Sequence, residues 1–117
     1  NNLNEIEIWG SGTVKRDWLY IDDVCSAILK VIYNLKNTPE IINVASGQCI
    51  SIRSLASKIR RNLGFRGKTK YNNKYPDGDP IKKFSTSLIK KTINWEPHVS
   101  IDDGIKKTIK YYLKKNG

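Results

Sequence analysis

The residue best suited to bind a ligand is an arginine that follows a glycine-containing turn. Arg16 comes after the turn Gly10–Thr13 and opens a segment with large aromatic side chains. Its guanidinium presents a planar fork of N–H donors that matches the oxygens of a phosphate. Trp9, just before the turn, carries a ring that could stack on a base or a sugar. Together the two side chains fit a phosphorylated ligand that contains a ring.

A purely structural role for the same two residues is the alternative. Arg16 could form an ion pair with Asp17, Asp22 or Asp23, which follow it closely in the sequence. Trp9 would then belong to the hydrophobic core. The position of the nearest carboxylate to Arg16 distinguishes the two interpretations.

A second candidate segment is the loop Tyr75–Pro80, whose prolines and glycine exclude a helix or a central strand. The loop contains Asp77 and a second aspartate, and Lys74 and Lys82 flank it. Loops that prolines hold in shape often line binding sites. The alternative is that the segment is a simple connector.

Other motifs with catalytic or cofactor chemistry are incomplete. Gly10-Ser11-Gly12 begins a dinucleotide fingerprint, but the third glycine is replaced by Lys15 and a strand follows. Tyr111 and Lys115 have the spacing of a short-chain dehydrogenase pair, but they lie on a lysine-rich helix near the end of the sequence. Two cysteines and one histidine make neither a disulfide framework nor a histidine-rich zinc site. We therefore predict no catalytic, cofactor-binding or metal-binding residue in this chain.

Length and charge set further bounds. The 117 residues fit one small domain and carry a net charge of +10. Residues 1–51 have a net charge of −2 and residues 52–117 a net charge of +12. A basic half fits a phosphorylated ligand, a nucleic acid or simply solvated lysines. A small nucleic-acid-binding module and a purely structural domain are therefore the rival functions. The lysines are scattered over helix faces, so we expect no nucleic acid as partner. No apolar run approaches the ~20 residues of a membrane helix, so we expect no membrane as partner. We expect a cytoplasmic location.

The hydrophobic pattern predicts alternating strands and helices, and hence an α/β fold. Two strands, 5–9 and 16–21, are expected to pair as a hairpin, and Asp22 or Asp23 to cap the helix that follows. The remaining predicted elements are a central strand at 40–45, a helix between Ser51 and Gly64, a strand at 68–72, a short strand near 82–85, a helix at 87–93 and a last helix opened by Ser100.

Several segments, in order, resemble the extended short-chain dehydrogenase/reductases that act on nucleotide sugars. The loop is similar to the Pro-Asp-Gly loop of GDP-L-fucose synthases. The segments that carry the resemblance are 8–13, 15–24, 42–47, 75–82, 94–97 and 100–105. The resemblance implies a C-terminal fragment of a Rossmann-type enzyme. Residues 1–50 would be the end of the Rossmann part, with the hairpin, a helix and the last strand, and residues 51–117 a small substrate-binding α/β subdomain.

The resemblance also implies what the chain contributes to such an enzyme. The preceding half of the parent would bind NAD or NADP and carry the catalytic Tyr and Lys, so this chain alone would be inactive. Trp9 and Arg16 would contact a nucleotide diphosphate sugar, with Arg16 near the diphosphate, and Lys74 and Asp77 are further candidate substrate-binding residues.

Two departures leave the nucleotide and the sugar unassigned. Ser85 stands where GDP-L-fucose synthases have an aspartate, and Lys74 is the only basic residue near a position that is arginine in UDP-sugar 4-epimerases. UDP-sugar 4-epimerases or dehydratases are therefore the alternative within the family. We also expect a homo-oligomer, and self-association of the isolated chain through the exposed edges of its strand at 40–45.

Overall fold

A computed structural model describes residues 4–116, which form two small sheets and four helices. Strands come first in the sequence and helices dominate its second half. The elements are β1 (Glu5–Trp9), β2 (Lys15–Asp17), α1 (Ile21–Tyr33), a 3₁₀ turn (Leu35–Asn37), β3 (Cys49–Ser51), α2 (Ile52–Leu63), β4 (Lys68–Asn72), β5 (Ile81–Lys82), α3 (Ser87–Ile93) and α4 (Ile101–Asn116).

Both sheets join strands that are distant in sequence. β1 pairs in parallel with β4, and Trp9 lies opposite Asn72. β2 is the centre of the second sheet, antiparallel to β3 and parallel to β5. The predicted hairpin is therefore wrong: β4 pairs with β1, while β3 and β5 occupy both edges of β2. The division into residues 1–50 and 51–117 stays a prediction, and both sheets contain strands from each side of it.

Predictions for the end of the second strand, for the start of α1 and for residues 40–45 are also wrong. The second strand ends at Asp17 instead of Ile21, and α1 begins with Tyr20 rather than an aspartate at its N-cap. Residues 40–45 are not a strand, because no strand in the described part of the chain pairs with them. A predicted central strand needs neighbours on both sides, and residues 4–116 do not provide them.

Predictions that depend on local chemistry are confirmed. The Ser51 side chain accepts a hydrogen bond from the Ser54 N–H at the start of α2, and Gly64 ends that helix in the left-handed conformation. Ser100 Oγ accepts a hydrogen bond from the Asp103 N–H at the start of α4. The α/β fold class is confirmed as well.

The core joins α1 to α3 and to the segment after it. Its buried members are Ala27, Ile89, Ile93 and Trp95. Trp95 Nε1 donates to Ser26 Oγ (2.9 Å), which donates in turn to the Asp23 carbonyl (2.8 Å). The only polar atom of the buried indole is thus satisfied by α1 itself.

The side chains of two aspartates in segment 15–24 bind backbone N–H groups of loops that are distant in the sequence. The buried Asp23 carboxylate accepts the N–H groups of His98 (3.0 Å) and Val99 (2.9 Å). The Asp17 carboxylate accepts the N–H groups of Ser46 (2.7 Å) and Gly47 (2.8 Å). Each carboxylate uses both oxygens, so each fixes the direction of a loop as well as its position.

The outer face of α1 is apolar and uncovered. Its exposed side chains include Ile21, Ile28, Leu29 and Ile32. The chain exposes 8966 Å² in all, against about 6,500 Å² for a compact monomer of this mass. Its radius of gyration is 17.1 Å, against about 13 Å for a compact domain of this length. The fold therefore leaves uncovered apolar surface that a compact domain of this size would bury.

Helices α2 and α4 face each other across an apolar groove. The groove has a volume of about 460 Å³ and is lined by residues that include Leu55, Ile59, Ile105 and Ile109. At one end Lys58 Nζ lies 2.8 Å from Asp102 Oδ1. This hydrogen bond and the lysine charge lower the pKa of the Asp102 carboxyl. Over residues 4–116, no helix is both long and apolar enough to cross a bilayer.

The buried Asp23 carboxylate yields a stability prediction. Asp23→Asn keeps the shape but turns an amide N–H₂ toward one of the two backbone donors, so we expect a loss of about 2–3 kcal/mol in the free energy of unfolding. The measurement is urea unfolding followed by circular dichroism. Asp22→Asn, on the exposed neighbour, is the matched control and should cost less than about 1 kcal/mol. Equal losses for the two variants would contradict this role.

Candidate functional site

The sheet register places the loop 75–80 against the end of β1. Trp9 is opposite Asn72, the last residue of β4. The Asn72 carbonyl accepts hydrogen bonds from the N–H groups of both Gly10 (2.9 Å) and Tyr75 (3.2 Å). This shared acceptor brings Tyr75 beside Trp9, and their rings stack with centroids 4.2 Å apart and planes at 12°.

The middle of the loop is held by Asp77. Its Oδ1 atom accepts a hydrogen bond from the Ser11 N–H at 2.7 Å. Gly10 has φ +79°, and a Cβ atom built there would collide with Asp77 Oδ1. The turn after β1 and the loop therefore fit together only because residue 10 has no side chain.

The end of the loop is held by β2. The Lys15 N–H donates to the Pro80 carbonyl (2.8 Å). Arg16 Nη1 donates to the carbonyls of Lys15 (2.7 Å) and Asp79 (2.9 Å). The Asp79 carboxylate is occupied by Lys82 Nζ at 3.2 Å. The loop is thus attached to the first two strands at its start, middle and end.

Arg16 is half-buried and has no carboxylate at ion-pair distance within residues 4–116. Its expected ion pair with Asp17, Asp22 or Asp23 does not form, and Asp17 and Asp23 bind backbone amides instead. Trp9 is 67% exposed and hence not in the core. Among the described residues, Arg16 Nε and Nη2 donate no hydrogen bond. The site therefore presents unused cationic donors, which suit an anion.

The four predicted site residues do not all converge. Trp9, Arg16 and Asp77 contact one loop or belong to it, whereas Lys74 precedes the loop with an exposed side chain. The Lys74 backbone N–H donates to Asn72 Oδ1 at 3.1 Å. The structure gives this lysine no direct contact with the other three.

Sequence reasoning missed two residues that support the site. The sequence places Tyr75 in the loop 75–80 and predicts no role for it, but in the structure its ring stacks on Trp9. Arg53, in the first turn of α2, donates from Nη2 to the Ser11 carbonyl at 2.9 Å and lies 4.3 Å above the ring of Tyr71. Both contacts depend on how distant strands pair, and a local sequence pattern does not show this pairing.

The turn Gly10–Thr13 does not have the structure of a dinucleotide-binding fingerprint. The turn Gly10–Thr13 leads into strand β2, whereas a dinucleotide fingerprint needs a helix N-terminus at that point to bind the pyrophosphate. Tyr111 is 67% exposed on α4. Among residues 4–116, no three His, Cys, Asp or Glu side chains are grouped so that they could hold a metal ion.

Comparison with known proteins places this geometry in a family. Residues 1–45 match the NAD dependent epimerase/dehydratase family. The chain is 33% identical, over 97% of its length, to the putative GDP-L-fucose synthase 2 of Arabidopsis thaliana. It is 35% identical, over 91% of its length, to the UDP-glucuronate 4-epimerase of Thermodesulfobacterium geofontis. It superposes over 97% of its length, with a TM-score of 0.87 and 25% identity, on a crystal structure of a GDP-6-OMe-4-keto-L-xylo-heptose reductase from C. jejuni.

The chain is similar to one segment of the extended short-chain dehydrogenase/reductases. It covers 34% of the Arabidopsis protein, 32% of the Thermodesulfobacterium protein and 35% of the C. jejuni chain. The chain thus spans about a third of the length of the relatives that it matches. The resemblance drawn from the sequence and the Rossmann-type fold class are confirmed.

The contact between Gly10 and Asp77 yields a prediction for this segment. Gly10→Ala adds a Cβ atom that displaces Asp77, so the Ser11 amide should lose its acceptor and exchange with deuterium at least several-fold faster. Hydrogen exchange by NMR measures this rate.

Gly64→Ala is the matched control for the glycine substitution. Gly64 has φ +64° with no atom near a built Cβ. Both variants should lose about 1 kcal/mol of stability from the strained backbone. Only Gly10→Ala should change the hydrogen-exchange rate of the Ser11 amide. An unchanged Ser11 rate in Gly10→Ala would show that Asp77 does not hold the turn.

Proposed function

We propose that this chain is the nucleotide-sugar-binding, C-terminal region of an NAD(P)-dependent sugar-nucleotide epimerase/reductase of the GDP-L-fucose synthase type. Its ligand is a nucleoside diphosphate sugar. Trp9, Arg16, Lys74 and Asp77 are the proposed substrate-binding residues. The cofactor and the catalytic Tyr and Lys belong to the part of the parent enzyme that this chain does not contain, so the chain by itself is inactive.

Arg16 is the observation that carries the proposal. Its guanidinium is fixed in place by two backbone carbonyls, and its remaining N–H groups are unpaired within residues 4–116. Among residues 4–116 no carboxylate forms an ion pair with these N–H groups, so they are open to an anionic ligand. A diphosphate supplies the missing charge and the oxygen acceptors together, and Trp9 beside the same loop offers a ring face to the group attached to it.

The names of the relatives support the substrate class and leave the nucleotide open. One similar protein is a GDP-L-fucose synthase and another is a UDP-glucuronate 4-epimerase. A UDP-sugar 4-epimerase is therefore the second candidate. A panel of GDP-, UDP- and dTDP-sugars, titrated against the complete enzyme, separates the two. The coding sequence upstream of Asn1 tests the parent: it should encode a glycine-rich strand-turn-helix and a Tyr-x-x-x-Lys.

We also propose that the outer face of α1 is covered by protein, in the parent enzyme or in an oligomer. The support is its row of exposed apolar side chains and the surface that exceeds a compact monomer's by about 2,500 Å². Residues 40–45 are not a strand, so the route of association is this helix face and not the predicted strand edge. A cytoplasmic location completes the proposal; both cysteines are free thiols, as expected in a reducing compartment.

Arg16 should determine the affinity for the nucleotide sugar. Arg16→Ala should weaken binding roughly 10-fold or more, because an ionic hydrogen bond contributes ~1.5–3 kcal/mol. Arg16→Lys keeps the charge but loses the planar fork, so its loss should be smaller. Isothermal titration calorimetry on the complete enzyme measures both.

Arg66→Ala is the matched control, because it removes the same charge from an exposed position outside the loop. It should leave the affinity unchanged. Unchanged affinity in Arg16→Ala would remove Arg16 from the binding site. Steeply salt-dependent binding of DNA or RNA, with no response to nucleotide sugars, would favour the nucleic-acid-binding alternative.

The uncovered face of α1 should make the isolated 117-residue chain self-associate between micromolar and millimolar concentration. Ile28→Lys and Ile32→Lys place charges on that face and should reduce the association. Light scattering measures the mass. Tyr111→Lys is the control, because Tyr111 is similarly exposed but lies on α4. A strictly monomeric chain over this range would contradict the proposal.

A further inference from the structure

We propose that Tyr75 is a positioning residue, which holds the indole of Trp9 so that its open face receives the ring next to the diphosphate of the ligand. The proposal rests on the proposed function and deepens it. No resemblance assigns a role to Tyr75, and the residue differs from the four proposed contacts because it acts through Trp9.

The geometry of the two rings is the first support. Their centroids lie 4.2 Å apart and their planes are 12° from parallel, so Tyr75 covers one face of the indole. Trp9 nevertheless remains 67% exposed. A tryptophan supported on one side and open on the other is a platform for a third ring, because stacking is favourable on either face.

The backbone is the second support, because it brings Tyr75 next to Trp9. Asn72 is paired with Trp9 by the register of β1 and β4. The same Asn72 carbonyl accepts the Tyr75 N–H at 3.2 Å. The two aromatic residues are therefore brought together by the sheet, before any ligand binds, so less conformational freedom is lost on binding.

The loop is the third support, because it couples the stack to the proposed anion site. Two residues after Tyr75, the Asp77 carboxylate accepts a hydrogen bond from the Ser11 N–H. The backbone carbonyl of Asp79 accepts a hydrogen bond from Arg16 Nη1. A loop that detaches at Tyr75 would loosen both contacts. The orientation of Trp9 and the position of the Arg16 guanidinium thus depend on one docked loop.

The first experiment tests the positioning role without any ligand. Tyr75→Leu removes the flat ring, whereas Tyr75→Phe keeps it and serves as the matched control. In the 117-residue chain, Tyr75→Leu should speed hydrogen exchange of the Ser11 amide roughly 2- to 10-fold, which is the range of a stacked aromatic pair. Tyr75→Phe should leave the rate unchanged. Equal rates in the two variants would overturn the positioning role.

The second experiment tests the ligand platform by a double-mutant cycle. Affinity for GDP and for GDP-mannose is measured in the complete enzyme with Trp9→Leu, Tyr75→Leu and both changes. Each single variant should bind roughly 2- to 10-fold more weakly, and the effect of Tyr75→Leu should disappear once Trp9 is replaced. A loss with both ligands places the stacked ring in the nucleoside, and a loss with GDP-mannose alone places it in the sugar beyond the diphosphate.

The outcomes separate this inference from the proposed function. If the affinities of both aromatic variants equal the unmodified value while Arg16→Ala still weakens binding, the platform is overturned and the proposed function stands. If Arg16→Ala also has no effect, the proposed function fails as well. If the effects of Trp9→Leu and Tyr75→Leu simply add, Tyr75 does not act through Trp9 and its positioning role is overturned.

Discussion

The structure depends on a buried carboxylate that binds two backbone amides. Asp23 lies in the first turn of α1 and holds the segment after α3 through His98 and Val99. This contact fixes Trp95 against α1, where the indole N–H finds Ser26. It acts together with the packing of Ala27 on Ile89, Ile93 and Trp95, which joins the same parts of the chain. Burying an anion is unfavourable unless charged hydrogen bonds replace its water, so the whole arrangement must form together.

Carboxylates that bind backbone amides or a lysine also determine which groups of the candidate site are left open. Acidic side chains in and around the site are already engaged: Asp17 with two backbone amides, Asp77 with the Ser11 amide and Asp79 with Lys82. Arg16 is left with carbonyl partners only. The Arg16 guanidinium is therefore open to an added anion, although residues 1–51 have a net negative charge. A small number of well-placed donors matters more here than the excess of lysines in the second half of the chain.

Sequence reasoning succeeded where the cause is local. The caps at Ser51 and Ser100, the stop at Gly64 and the loop 75–80 each follow from a few neighbouring residues. It failed for the hairpin and for the strand at 40–45, because strand pairing depends on which distant segment supplies the hydrogen bonds. The Trp9–Tyr75 stack was out of reach for the same reason, since 66 residues separate the two rings in the sequence and only the parallel register joins them.

The backbone contacts of Asp17 and Asp23 have a consequence for sequence variation. An amide N–H is present in every residue except proline, so these hydrogen bonds do not depend on the side chains at 46, 98 and 99. A substitution at these positions therefore keeps the contacts to the two carboxylates, with proline as the one excluded residue. The constraint on side-chain identity falls on the two aspartates and on Gly47, whose φ of +74° favours glycine, so a search for this fold in divergent sequences should weight these three positions above the rest of the loops.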